Sequence, residues 1–188
     1  MLFRSVGTPL QEGLLLVHNT LVGLRLRERI RIGASGKIIS AFDIARAMAL
    51  GADYCNSARG FMFALGCIQA QACHTGECPT GVTTQDPMRQ RALVVPDKIE
   101  RVAQFHRLTL HALKELVQAA GLHHPGEIRA SHIVRRVEGN QVRLLSGLLI
   151  PMGPGDLLAA SRGERPWPHK VFEVYWPLAR PDSFAPRG

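Results

Sequence analysis

Residues 30–38, IRIGASGKI, and residues 52–60, ADYCNSARG, decide the fold. Ile30 and Ile32 alternate with an arginine and run into Gly33, the pattern of a short buried strand. ADYCN reads as a second short strand. Each is followed at once by a loop of small residues, GASGK after the first and NSARG after the second. Between them, Ser40-Ala41-Phe42-Asp43 opens a helix as a capping box, and Gly51 closes it. The two loops lie about 25 residues apart, the length of one helix plus one strand, as adjacent βα units require. This rhythm predicts an α/β protein with parallel strands. Two strands cannot form a parallel sheet covered on both faces, so the segment reads as the closing part of something larger.

Working outward, Thr8-Pro9-Leu10-Gln11 predicts a helix start, with Thr8 as N-cap and Gln11 closing a capping box, and the helix running to Gly23. Downstream, Phe61–Ala72 is apolar and punctuated by glycine. Asp97 and Glu100 are read as caps of a long amphipathic helix ending at Gly121, with Ile99, Val102, Leu113, Leu116, Val117 and Ala120 on its apolar side. Residues 123–137, HHPGEIRASHIVRRV, read as a short helical turn, and the chain from Gly139 onward as a loop-like tail.

The composition is that of a globular protein, 46% hydrophobic and 20% charged over 188 residues. No run of about 18 uncharged apolar residues is present, which argues against a membrane span. The first residues, MLFRSVGTPLQEG, lack the apolar core of a secretory leader. The expected compartment is therefore the cytoplasm, where clustered thiols bind metal or do redox chemistry more often than they form disulfides. The net charge of +8 raises the question of nucleic acid. Arg25, Arg27, Arg29, Arg31, Arg135, Arg136 and Arg187 are scattered, however, and aromatic residues are only 6%. The expectation is no nucleic-acid partner, with the charge drawing in small anions instead.

GASGK is not a nucleotide P-loop. Gly33 and Gly36 are separated by two residues rather than four, and Ile38 follows Lys37 where Ser or Thr would hold magnesium. A phosphate site of the barrel type fits better, because loops after neighbouring strands can bind phosphate through backbone amides beside a helix N-terminus. Either loop taken alone reads as an ordinary turn, and it is the pair at this spacing that puts the phosphate reading level with it.

Three of the four cysteines, Cys67, Cys73 and Cys78, fall within GCIQAQACHTGECPTG, residues 66–81. Thiolates suit zinc or iron–sulfur clusters, but structural zinc favours tight pairs, and none is present. Pro79 follows the last cysteine, as proline follows the final ligand in one ferredoxin run. A cluster, zinc and free thiols all remain open on chemistry alone. Cys55 lies on the second strand and reads as a small buried apolar residue.

Together GTPLQEGLLLVHNTL (7–21), RIGASGKI (31–38), LGADYCNSARGFMFALGC (50–67) and CHTGECPTGVTTQDP (73–87) resemble the FMN-binding glutamate synthase family, more narrowly its standalone form without an amidotransferase domain. The resemblance is close over residues 7–87. It implies the last two or so βα units of a (β/α)8 TIM barrel over residues 1–87, and a helical extension with a loop-like tail over 88–188. It implies that Cys67, Cys73 and Cys78 hold a 3Fe-4S cluster, since the family's ligands share their spacing. It implies that the backbone of Ser35, Gly36 and Lys37, with Ser57, Ala58, Arg59 and Gly60, holds the FMN phosphate. Larger members carry a small polar residue where this chain has Arg59, so a guanidinium link to phosphate is inferred from charge.

The implied reaction is reductive amination: FMN reduces the imine of 2-oxoglutarate and ammonia to glutamate, with electrons from the cluster. Implied partners are 2-oxoglutarate, ammonia that is free or glutamine-derived, and an electron donor or amidotransferase chain. The groups that grip 2-oxoglutarate and the flavin ring are expected upstream of Met1, either on a longer chain or on a separate polypeptide. Without them the segment is expected to be unstable alone. The competing reading is an autonomous iron–sulfur or zinc module without flavin. His18, His106, His111, His123, His124 and His132 lack a paired carboxylate or nucleophile pattern and read as structural or solvated, while Asp43 and Glu100 read as caps.

Overall fold

The parallel pairing forms, but one step further along the chain than its hydrophobic pattern suggests. In the computed structural model, which describes residues 8–182, β1 is Gly33–Ser35 and β2 is Tyr54–Asn56. They run parallel with Gly33 opposite Tyr54, Ala34 opposite Cys55 and Ser35 opposite Asn56. Ile30 and Ile32 precede the strand rather than form it. Ile30 is 42% exposed, whereas Ile32 is buried and its carbonyl accepts a hydrogen bond from the Asp53 N–H at 2.8 Å. Residues 1–7, read above for a leader, and residues 183–188 of the tail lie outside the described residues.

The first helix, α1, is Leu10–Gly23. Its N-cap is Pro9, without a side-chain cap, so the expected Thr8–Gln11 box does not form. The first helical bond runs from the Gly13 N–H to the Pro9 carbonyl at 2.9 Å, which leaves Thr8 one position outside. α2, Ala41–Ala49, starts as expected: the Ser40 hydroxyl accepts from the Asp43 N–H at 3.2 Å, and the Asp43 carboxylate accepts from the Ser40 N–H at 3.0 Å. α3 is Arg59–Leu65, and the short α4 is Pro87–Gln90. The long helix α5, Val95–Ala119, is capped by Val94 with proline in its first turn. Asp97 lies inside that turn, paired with Lys98 at 3.0 Å, and so neither it nor Glu100 is the cap. Two short 3-10 turns, Pro125–Glu127 and Ala130–His132, follow.

Residues 123–137 end in a strand and are not one helical turn, and the tail beyond them is more ordered than its composition implied. β3, Val134–Arg136, and β4, Val142–Leu144, form an antiparallel hairpin. Its connection turns through Gly139 and Asn140, both left-handed with φ of 68° and 60°. Two further helices follow, α6 at Asp156–Ser161 and α7 at Lys170–Tyr175.

Two units interleave along the chain. One takes in the chain up to Ile32, Ala49–Asp53 and everything from Arg129 onward; the other takes in Gly33–Met48 and Tyr54–Ile128. In the first, α6 packs on α1 through Leu157, which is fully buried, and Gly23, where a Cβ would come within 2.5 Å of the Leu157 side chain. In the second, Leu113 and Val117 are the buried positions of α5, while Ile99, placed on the apolar side by sequence, is 63% exposed. α3 packs on α5 through Phe61 and Phe105, whose rings meet edge to face at 5.1 Å. Among the described residues no helix is long and apolar enough to cross a membrane.

Candidate functional site

Because β1 and β2 are parallel neighbours, the loops that leave their C-terminal ends emerge at the same edge of the pair. Ser35, Gly36 and Lys37 form the first loop, all exposed, with Gly36 at φ 136° and Lys37 at φ 55° turning the chain sharply. Ser57 and Ala58 form the second, and Arg59 and Gly60 are the first two residues of α3. The Ser57 hydroxyl donates to the Ile38 carbonyl at 2.7 Å and ties the loops together. Among the described residues neither Lys37 nor Arg59 forms an ion pair. Gly60 is buried, and a Cβ there would come within 2.6 Å of the Phe105 ring. Its lack of a side chain is what allows the start of α3 to seat on α5.

The cysteines begin where α3 stops. Gly66, at φ 108°, ends the helix, and the Cys67 N–H donates to the Met62 carbonyl at 3.0 Å. Cys67 is half-buried, Cys73 exposed and Cys78 buried. All three line one small pocket, with Met62, Pro79 and Val82. His74, next to Cys73, is exposed and does not line it. The Cys78 sulfur lies 3.5 Å from the Thr80 hydroxyl. That hydroxyl, followed by the Thr83 backbone N–H, pulls the Cys78 thiol down to about 6, which favours the thiolate that a metal requires. Among the described residues no three His, Cys, Asp or Glu side chains gather tightly around a single point where one metal ion would sit. Three soft sulfurs that line one pocket are the kind of donor set that thiophilic metals and iron–sulfur clusters use. Cys55 on β2 is half-buried, and burial pushes its thiol up, in keeping with a packing role.

Of the side chains that act on this site, Thr80 and Thr84 escaped the sequence reading. Their signal was the threonine run in PTGVTT directly after Cys78. His18 is structural as expected: its Nδ1 accepts from Arg27 at 3.1 Å.

The described residues form a mixed α/β chain in which two small-residue loops follow paired parallel strands and three cysteines line one pocket. Residues 1–123 match the conserved region in glutamate synthase. The chain belongs to the glutamate synthase family. A glutamate synthase large subunit-like protein, YerD, of Bacillus subtilis is 41% identical over 145 residues, covering 77% of this chain and 28% of its own. The archaeal glutamate synthase (NADPH) of Methanocaldococcus jannaschii is 36% identical over 130 residues, 69% of this chain and 26% of its own. The ferredoxin-dependent glutamate synthase 2 of Synechocystis is 36% identical over 103 residues, 54% of this chain and 7% of its own. The chain thus spans between a quarter and a third of the length of the first two.

Proposed function

We propose that the chain forms the closing βα units of an FMN-binding (β/α)8 barrel in a glutamate synthase-type oxidoreductase, and that it carries a 3Fe-4S cluster. The observation that carries the reading is the shared pocket of Cys67, Cys73 and Cys78 at the end of α3, the helix whose other end is the loop after β2. Seven residues of helix span about 10 Å, so the proposed phosphate cradle and the cysteine pocket lie at the two ends of one short helix.

In this reading the main-chain N–H groups of Ser35, Gly36 and Lys37, with those of Ser57, Ala58, Arg59 and Gly60, donate to the FMN phosphate. Lys37 and Arg59 add positive charge around a dianion. Cys67, Cys73 and Cys78 ligate the cluster as thiolates, and Met62, Pro79 and Val82 line the pocket beside them. When bound, FMN supplies hydride chemistry toward the imine of 2-oxoglutarate and ammonia, and the cluster supplies single electrons. Groups that bind 2-oxoglutarate belong to other parts of the complete enzyme, as does the supply of electrons and of free or glutamine-derived ammonia. The assigned compartment is the cytoplasm.

Two measurements test this. The complete enzyme should bind FMN at least about tenfold more tightly than riboflavin, because only FMN presents the phosphate. Arg59→Ala should narrow that ratio, and equal affinity for the two flavins would rule out the phosphate cradle. Anoxic supply of iron and sulfide should produce visible cluster absorption that Cys73→Ser abolishes. Zinc uptake without colour would favour the metal-module alternative.

A further inference from the structure

Beyond Cys78 the chain turns back on the loop that carries the cysteines. Thr84 is 7% exposed, and its hydroxyl donates to the carbonyl of Gly76, midway between Cys73 and Cys78, while accepting from the Asp86 N–H at 3.1 Å. The next carbonyl along, that of Glu77, accepts from the Arg89 guanidinium at 3.1 Å. Arg89 is itself braced by Asp86 at 3.4 Å, and Asp86 caps α4 by accepting from the Met88 N–H at 2.8 Å. The Gln90 side-chain amide donates to the Thr84 carbonyl at 2.9 Å. Close approach is permitted by Gly81, at φ 79°, where a Cβ would lie 2.5 Å from the Arg89 carbonyl oxygen. Two consecutive carbonyls of the Cys73–Cys78 segment are thus gripped from α4 and the residue that anchors it.

We propose that Thr84 and Arg89 are positioning residues for the cluster ligands, clamping the Cys73–Cys78 segment so that both sulfurs stay on the pocket they share with Cys67. The inference rests on the cluster reading above. Its physical basis is that ordering a free loop costs conformational entropy at every residue fixed, a cost that cluster capture would otherwise bear. A clamp set during folding removes it. Thr84 suits the task because its hydroxyl donates and accepts at once, which valine of the same shape cannot do.

The test compares the complete enzyme with its Thr84→Val, Thr84→Ser and Arg89→Gln variants after anoxic reconstitution. The readouts are iron retained against a chelator and the paramagnetic signal of the oxidised cluster. Thr84→Val is expected to lose about 10–100-fold in iron affinity and to broaden the signal, with Thr84→Ser close to the parent. Arg89→Gln, at a half-exposed position, should weaken retention in the same direction with little effect on folding. Thr84→Val that retains iron and signal like the parent overturns the proposal. If the parent takes up no cluster, the cluster reading fails first, and the clamp is then judged by alkylation of Cys78. Loss of a buried hydrogen bond should speed that alkylation about tenfold in Thr84→Val, and an unchanged rate overturns the clamp.

Discussion

Arg27 shows how much a single side chain can organise. Its guanidinium donates to His18 Nδ1 at 3.1 Å, to the Ile30 and Gly51 carbonyls at 2.9 Å each, and to the Asp53 carboxylate at 2.8 Å. Asp53 in turn accepts from the Ile32 N–H at 2.7 Å. Partial burial works against the Asp53 charge, but the bonds from Ile32 and Arg27 outweigh it and hold the carboxyl below its ordinary value. Burial, then the charge of Arg27, pushes the His18 imidazole below its ordinary value. For both groups the unfolded chain binds the proton more readily, so stability rises with pH through each window. Acidification should therefore lower the melting temperature in two stages, one below pH 6.5 from His18 and one below pH 3.8 from Asp53. His18→Gln should remove only the first; a melting temperature flat from pH 7 to 5 would count against the network. Arg27→Met should cost about 1.5–3 kcal/mol by urea denaturation, because it removes the Arg27 hydrogen bonds and leaves Asp53 with only Arg31 and the Ile32 N–H. Nothing in the local pattern RLRERIR singles Arg27 out from its neighbours, since its partners lie up to 26 residues away.

At the scale of elements, legibility followed local chemistry. The Ser40–Asp43 capping box was readable because its bonds close within a few residues. β1 was misplaced because a strand is defined by its partner, and that partner offers only Tyr54–Asn56. The hairpin of β3 and β4 was missed because all six of its residues are exposed, leaving no in–out alternation to read. α6 and α7 have six residues each, too few for a helical period to stand out. Leu157 nevertheless anchors α6 wholly buried against α1, and Leu157→Ala should cost about 2–5 kcal/mol in denaturant titration. A change below about 0.5 kcal/mol would mean that this packing contributes little. Gly60→Ala is the parallel test on α3. Its new methyl would press on Phe105 and Ser57, so it should lower both stability and flavin affinity.

For the molecule as a whole, what could be read was the set of chemical parts, and what could not was how side chains hold them. The three cysteines stand out in the sequence as a group whose spacing leaves their ligand open, and in the structure they line one pocket. Thr84 does not stand out, because its role arises only when α4 folds back over the loop. Everything functional turns on whether the Cys67, Cys73 and Cys78 pocket holds iron. The most direct measurement is elemental analysis of the complete enzyme after anoxic reconstitution with iron and sulfide, zinc being offered in competition. The account predicts about three irons per chain, falling to none in Cys78→Ser. A protein that stays iron-free, or that fills with a single zinc, would contradict it.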